Sequence, residues 1–192
     1  MRNLVNFLLF SALSLALGLG SAYYSVEHGF ALVAPSIGSW KSWVNAGSLT
    51  ADPYTRAHIA RFGDLPITSG SGLTFMASVD GEGRDLSSAC EYEIVARPAS
   101  AVWWSIALYD SDGQLIPNKA GRHAFNSQNL TVLPDGTQRI ALAPNARPGH
   151  WLPSGEDHDL MLVLRVIRPL SIEQQRQGIA FEGLPSIQRV SC

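Results

Sequence analysis

The feature that most limits what this chain can become is its beginning. From Asn3 to Val26 no residue is charged, and Leu4–Leu19 is rich in Leu, Ala and Phe. Such a run is long enough for a helix that crosses a bilayer, which takes about 20 apolar residues. Arg2, the one charge ahead of it, favours an N-terminus left in the cytoplasm. Gly20-Ser21-Ala22 offers the small residues of a signal-peptidase site, so the segment also fits a cleaved export signal. Continuation of the run through Tyr23-Tyr24-Ser25-Val26 weighs toward the uncleaved anchor. Both readings export everything that follows. Tyr23, Tyr24, Trp40 and Trp43 fit an aromatic belt at the outer interface, whereas ordinary core packing is the preferred reading of the two tryptophans.

Roughly 150 residues remain, enough for one domain with a self-sufficient core. With 14 basic and 16 acidic residues the net charge is −2. Arg139, Arg147, Arg165, Arg168, Arg176 and Arg189 are scattered and form no stripe, so no nucleic-acid partner is expected. Cys90 and Cys192 are the only cysteines. In an oxidising compartment they can pair, remain free thiols or bridge to another molecule.

Residues 1–26 are therefore read as anchor or signal, 27–49 as a connector, 50–170 as a β-sandwich domain and 171–192 as a C-terminal tail. Asp52-Pro53 opens a helix, with Asp at the N-cap and Pro at the first helical position. The helix is expected over Pro53–Phe62, with Tyr54, Ala57, His58 and Phe62 on its apolar face and Gly63 as its stop. Strand patterns follow. Leu73–Val79 alternates, and Cys90–Ala96 sets Cys90, Tyr92 and Ile94 against Glu91 and Glu93, as in a strand with one wet side. Val102–Tyr109 and Asp159–Ile167 are apolar on both faces, as in covered central strands. Asp112-Gly113 and Asp135-Gly136 signal tight turns, with Gln114–Ile116 and Leu130–Leu133 as hairpin strands beside Val102–Tyr109 and Gln138–Ala143. Pro169 ends the last long strand, and Ser171 caps a short helical start at Ser171-Ile172-Glu173-Gln174. The fold class is mainly β: an antiparallel, jelly-roll-like β-sandwich with one short helix and the N-terminal helix.

Val102–Asp110 followed by Asp112-Gly113, Asn118, the Arg122–Ser127 segment, Leu133-Pro134-Asp135-Gly136-Thr137, Trp151-Leu152-Pro153 and Leu162–Pro169 together resemble the bacterial family called domain of unknown function 1214. Upstream, Gly38-Ser39-Trp40 and Asp52-Pro53-Tyr54 resemble its short membrane-anchored members. The resemblance spans roughly Gly38 to Pro169. It implies an antiparallel β-sandwich of jelly-roll type and a neighbour of the domain of unknown function 1254 type, here as a separate partner subunit. It transfers no catalytic residue.

No nucleophile elbow, Walker loop, dinucleotide fingerprint or His-Glu-x-x-His occurs, and Ser69-Gly70-Ser71-Gly72 reads as a loop before a strand. Glu156-Asp157-His158-Asp159 is dense in ligand types, with His150 and His123 available from other loops. Adjacent strand residues point to opposite faces, however, so a solvated loop is the preferred reading, with no metal and no cofactor. Arg165 shares its strand face with Met161, Val163 and Ile167, where a guanidinium needs a carboxylate or a pocket mouth. Glu91, Glu93 and Asp110 are its candidate partners. A salt bridge is preferred to a grip on an anionic ligand.

Arg122, His123 and Asn126, with Trp104, Tyr109 and Trp151, could line an aromatic cleft, so the candidate ligand-binding set is Arg122, His123, Asn126, Trp151 and Arg165. The expected role is a non-enzymatic module in the inner membrane, attached through residues 4–26, facing the periplasm and binding a partner protein. The alternatives are a domain released to the periplasm after signal cleavage, and binding or hydrolysis of a carbohydrate or lipid-derived anionic ligand at the Arg/His/Asn cleft.

Overall fold

The first turn of the short helix shows how closely local chemistry dictates structure here. Asp52 Oδ1 accepts the backbone N–H groups of Tyr54 and Thr55 at 2.9 and 3.0 Å, and Thr55 Oγ1 donates to Asp52 Oδ2 at 2.6 Å. These bonds satisfy donors that a helix start otherwise leaves open. The helix, α2, runs Pro53–Phe62, as the sequence predicts. Its sheltered face differs from expectation. Thr55 is buried and His58 and Ile59 half-buried, whereas Tyr54 and Ala57 are exposed.

The computed structural model describes residues 2–28, 34–43, 45–62, 66–68, 71–97, 101–156, 158–169 and 183–192. Gly63, Ser69, Gly70, Asp157 and the predicted helical start at Ser171–Gln174 lie outside them. Helix α1 spans Arg2–His28 with no buried residue, and it is long and apolar enough to cross a membrane.

Among the described residues ten strands follow in two sheets: β1 (Ser36–Ile37), β2 (Trp40–Lys41), β3 (Gly72–Ala77), β4 (Glu91–Ala96), β5 (Ala101–Asp110), β6 (Ala124–Asn126), β7 (Gln138–Ala143), β8 (Trp151–Pro153), β9 (Leu160–Pro169) and β10 (Ser186–Ser191). One sheet has six strands in the order β1-β2-β3-β9-β5-β6, and the other has four in the order β10-β4-β7-β8. All pairings are antiparallel except β7 with β8. The chain is mainly β and neither sheet closes into a barrel.

The core lies between the sheets. Phe75, Trp104, Ile106, Leu108, Leu162 and Leu164 from the larger sheet meet Tyr92, Ile94, Ile140, Leu142 and Leu152 from the smaller one. Strand periodicity turns every second residue inward, and these positions are inward residues of β3, β5, β9, β4, β7 and β8. Trp40 is 2% exposed and donates Nε1–H to Pro185 O at 2.7 Å, so core packing holds for it. Trp43 stacks on His58 with ring centroids 4.0 Å apart. Gly72 sits where β3 and β9 approach closely: a Cβ there would lie 2.5 Å from Val166 O.

Several expectations differ in pairing. Gln114–Ile116 contributes only a bridge from Leu115 to Tyr109, although Ile116 is buried. Leu130–Leu133 forms no strand. Leu133 N–H instead closes the Asp135-Gly136 turn onto Thr137 O at 2.8 Å, and β7 pairs with β4 and β8. The stretch read as a connector supplies β1 and β2, and the stretch read as a tail supplies β10, which pairs with β4. Cys90 and Cys192 are bonded to each other, fastening the end of β10 to the start of β4.

Candidate functional site

The two sheets turn very different outer faces to their surroundings. On the four-stranded sheet, the outward side of β4 and β7 carries paired charges beside the small apolar Val95 and Ala141: Arg139 bridges Glu93 and Asp135, and Arg147 pairs with Glu91. This is a solvated surface. Asp135 is held at about 2, below the usual carboxylate range, chiefly by the Thr137 hydroxyl, then by the Thr137 N–H and Arg139.

On the six-stranded sheet, outward positions of the central strands are Trp103, Ser105, Ala107 and Tyr109 from β5 and Met161, Val163, Arg165 and Ile167 from β9. Trp103, Tyr109, Met161 and Ile167 are half-buried, and Ala107 and Val163 are buried. The helices pack mainly on each other. Registers align the face in rows. One is polar: Asn126–Ser105–Arg165–Thr74 across β6, β5, β9 and β3. The rows beside it are apolar, Trp103–Ile167 on one side and Ala107–Val163–Met76 on the other, with Tyr109–Met161 beyond. At the β3 edge a groove lined by Lys41, Trp43, His58, Ile59, Thr74 and Met76 separates α2 from the sheet.

The five residues singled out from sequence fall into two groups. Arg122, His123 and Trp151 meet at the rim between β6 and β8. Arg122 Nη1 donates to Trp151 O at 2.9 Å, and its guanidinium lies 5.6 Å from the centroid of the Phe125 ring. Asn118 braces the turn, accepting Arg122 N–H at 3.0 Å and donating to Arg122 O at 2.9 Å, with His123 Nδ1 3.3 Å away. Trp151 Nε1 donates to Ala143 O. The Arg122–Trp151 bond staples the rim of one sheet to the other.

Asn126 and Arg165 lie instead in the polar row of the outer face. The Asn126 side chain accepts the N–H groups of Gln128 and Asn129 in its own turn. Neither the groove beside α2 nor a smaller one lined by Ala96, Arg97, Trp104, Leu164 and Pro185 includes any of the five.

Arg165 departs from the preferred reading. Its side chain donates to Tyr109 Oη at 3.4 Å and forms no ion pair among the described residues. Glu91 and Glu93 belong to the other sheet and serve Arg147 and Arg139, while Asp110 Oδ1 accepts the N–H groups of Asp112 and Gln114. Among the described residues no three His, Cys, Asp or Glu side chains are grouped to hold a metal.

The residues that sequence reasoning passed over are Trp103, Ser105 and Met161. Their signal is the apolar character of β5 and β9 on both sides, a pattern that the sequence shares with covered central strands.

Where the domain meets α1, the last turn of that helix is gripped. Lys41 Nζ donates to His28 O at 2.8 Å, His58 Nδ1 lies 2.8 Å from Val26 O, and Arg61 pairs with Glu27. A cation at carbonyls that a helix end leaves open is favourable.

A family model described as "Protein of unknown function (DUF1214)" matches residues 71–171. No curated protein matches the chain. Among solved structures, the VPA0106 protein of Vibrio parahaemolyticus aligns with a TM-score of 0.58 at 17% identity, over 73% of this chain and 36% of its own. A putative uncharacterized protein from Burkholderia cenocepacia aligns with a TM-score of 0.44 at 21% identity, over 65% of this chain and 30% of its own. The chain thus spans about a third of the length of these solved proteins.

Proposed function

Because this chain belongs to the DUF1214 family, a family of unknown function, we propose a role from its geometry: a membrane-anchored module facing the bacterial periplasm that docks a separate protein on the outer face of its six-stranded sheet. The observation that carries the reading is the contrast between the two outer faces. One sheet presents paired charges to water. The other presents Trp103, Tyr109, Met161 and Ile167 around an arginine that pairs with no acid among the described residues. Apolar patches on a small domain commonly mark an interaction surface, and Trp103, Tyr109, Met161 and Ile167 line neither of the grooves described above, whereas a small ligand prefers a concavity.

Anchoring is supported by α1, which at 1.5 Å per residue is about 40 Å long against a hydrocarbon core of about 30 Å. The helix runs unbroken through Gly20-Ser21-Ala22, and the domain holds its last turn. The Cys90–Cys192 bond suits an oxidising compartment. A separate subunit of the domain of unknown function 1254 type fits the docking role. The competing reading of an anionic small ligand at Arg122 is weakened by the use of that guanidinium in the rim staple.

The test is purification of the full chain from its native membranes in mild detergent. A second polypeptide at fixed stoichiometry is expected, lost on Met161→Lys and retained on Gln188→Lys on the other sheet. Recovery of the chain alone, or equal retention by both variants, would refute the docking role.

A further inference from the structure

Arg165 says something about what covers the face around it. Strands lie about 4.8 Å apart, so the row Asn126–Ser105–Arg165–Thr74 crosses about 14 Å of the sheet with Arg165 near its middle. A guanidinium carries five N–H donors, and the only side-chain bond this one makes among the described residues is the 3.4 Å contact to Tyr109 Oη. Covering the face with purely apolar material would strand the remaining donors and the charge away from water, which is strongly unfavourable.

We propose that the occupant is a different protein that presents an Asp or Glu carboxylate, flanked by apolar side chains, to Arg165. The inference rests on the docking reading above and specifies its partner. A carboxylate meets the arginine fork through two parallel bonds. Ser105 and Thr74, the register neighbours of Arg165, place hydroxyl donors on either side. The apolar rows receive the flanking side chains. This arrangement, a charged pair fully enclosed by aromatic and aliphatic contacts, is that of an interface hot spot.

The face itself excludes two other occupants. Its outward residues, Thr74, Met76, Trp103, Ser105, Ala107, Tyr109, Ala124, Asn126 and the four from β9, include no acid. A symmetric dimer through this face would bring Arg165 to a surface that cannot neutralise it. A bilayer surface would leave the polar row crossing the middle of the buried patch without partners.

The experiment places photoreactive benzoylphenylalanine at Ala124 and, separately, at Met161 of the full chain in cells. Crosslinked peptides are identified by mass spectrometry. The proposal expects a peptide from one other protein with an Asp or Glu among apolar neighbours. Arg165→Met and Arg165→Glu should each reduce the crosslink about a hundredfold. Exchanging that partner acid for Arg should restore it against Arg165→Glu. Arg165→Met should leave the melting temperature of the purified chain unchanged or raised, because the arginine pairs with no acid among the described residues.

A crosslinked peptide without an acid, crosslinking indifferent to both variants, or a clear fall in melting temperature with Arg165→Met would overturn the carboxylate pairing while leaving the docking role intact. Crosslinks to phospholipid alone, to a second copy of the chain, or to nothing would overturn both.

Discussion

The Cys90–Cys192 bond closes a loop of 102 residues that contains β4 to β10 and leaves β1, β2 and β3 outside it. In the chain-entropy description, opening a loop of that length gives the unfolded state about 16 cal/mol/K, or about 4.7 kcal/mol at 25 °C. Cys192→Ser isolates this effect. Position 192 is exposed, and Cys90, buried against the core, remains as a small apolar side chain. Against ordinary domain stabilities of about 5–15 kcal/mol the loss is large. It corresponds to a fall of about 10–20 °C in melting temperature for a chain of this size. The structure also names the part that loosens first. β10 is an edge strand whose inward anchor is Ile187, helped by Gly81 N–H to Ile187 O and Trp40 Nε1–H to Pro185 O. Urea unfolding of the full chain in detergent, followed by tryptophan fluorescence, gives the free energy, and hydrogen exchange over residues 183–192 gives the local opening. A loss below about 1 kcal/mol, or native protein carrying two titratable thiols, would refute the reasoning.

Four further outcomes follow from particular contacts. Asp52→Ala should cost about 1 kcal/mol by removing the α2 cap, measured by urea unfolding. Leu164→Ala, at a position 2% exposed and opposite Phe75 and Ile106 in the register, should cost about 2–5 kcal/mol in the same assay. Asp135 is held at about 2, so its contribution to stability is present above the ordinary carboxylate range and is lost as pH falls through about 2. Thr137→Val should move that titration upward in an NMR pH series. Alkaline carbonate extraction should leave the chain in the membrane with its N-terminus intact, and a soluble form beginning at Tyr23 would contradict the anchor.

The parts of the fold that can be read from sequence are those whose causes are local. Asp52-Pro53 sets both the start and the cap of α2, and alternation marks β3, β4 and β7 because one side of each faces the core. The three-residue strands β6 and β8 carry too little pattern to stand out. β10 hides because only Ile187 points inward with full burial, among Gln188, Arg189 and Val190. Its place beside β4 depends on a partner almost one hundred residues earlier. The Asp-Gly turns form where expected, Gly113 and Gly136 both taking φ of 77°, but a turn does not dictate which strands pair beyond it. The assignment of Glu91 and Glu93 to Arg165 failed for the same reason: residue spacing does not reveal that β4 and β9 lie in different sheets. Of the candidate site, Arg165 was legible as a charge in an apolar setting. The row through Ser105, Asn126 and Thr74 emerges only from the register.

The outer face of β5 and β9 carries its own reporters, since Trp103, Tyr109 and Met161 react readily with hydroxyl radicals and are partly accessible in the isolated chain. Radical footprinting of native membranes against the purified chain should show these three protected severalfold in membranes, with Val190 on the other sheet labelled equally in both. Equal labelling of all four would mean that nothing covers the face in its native setting.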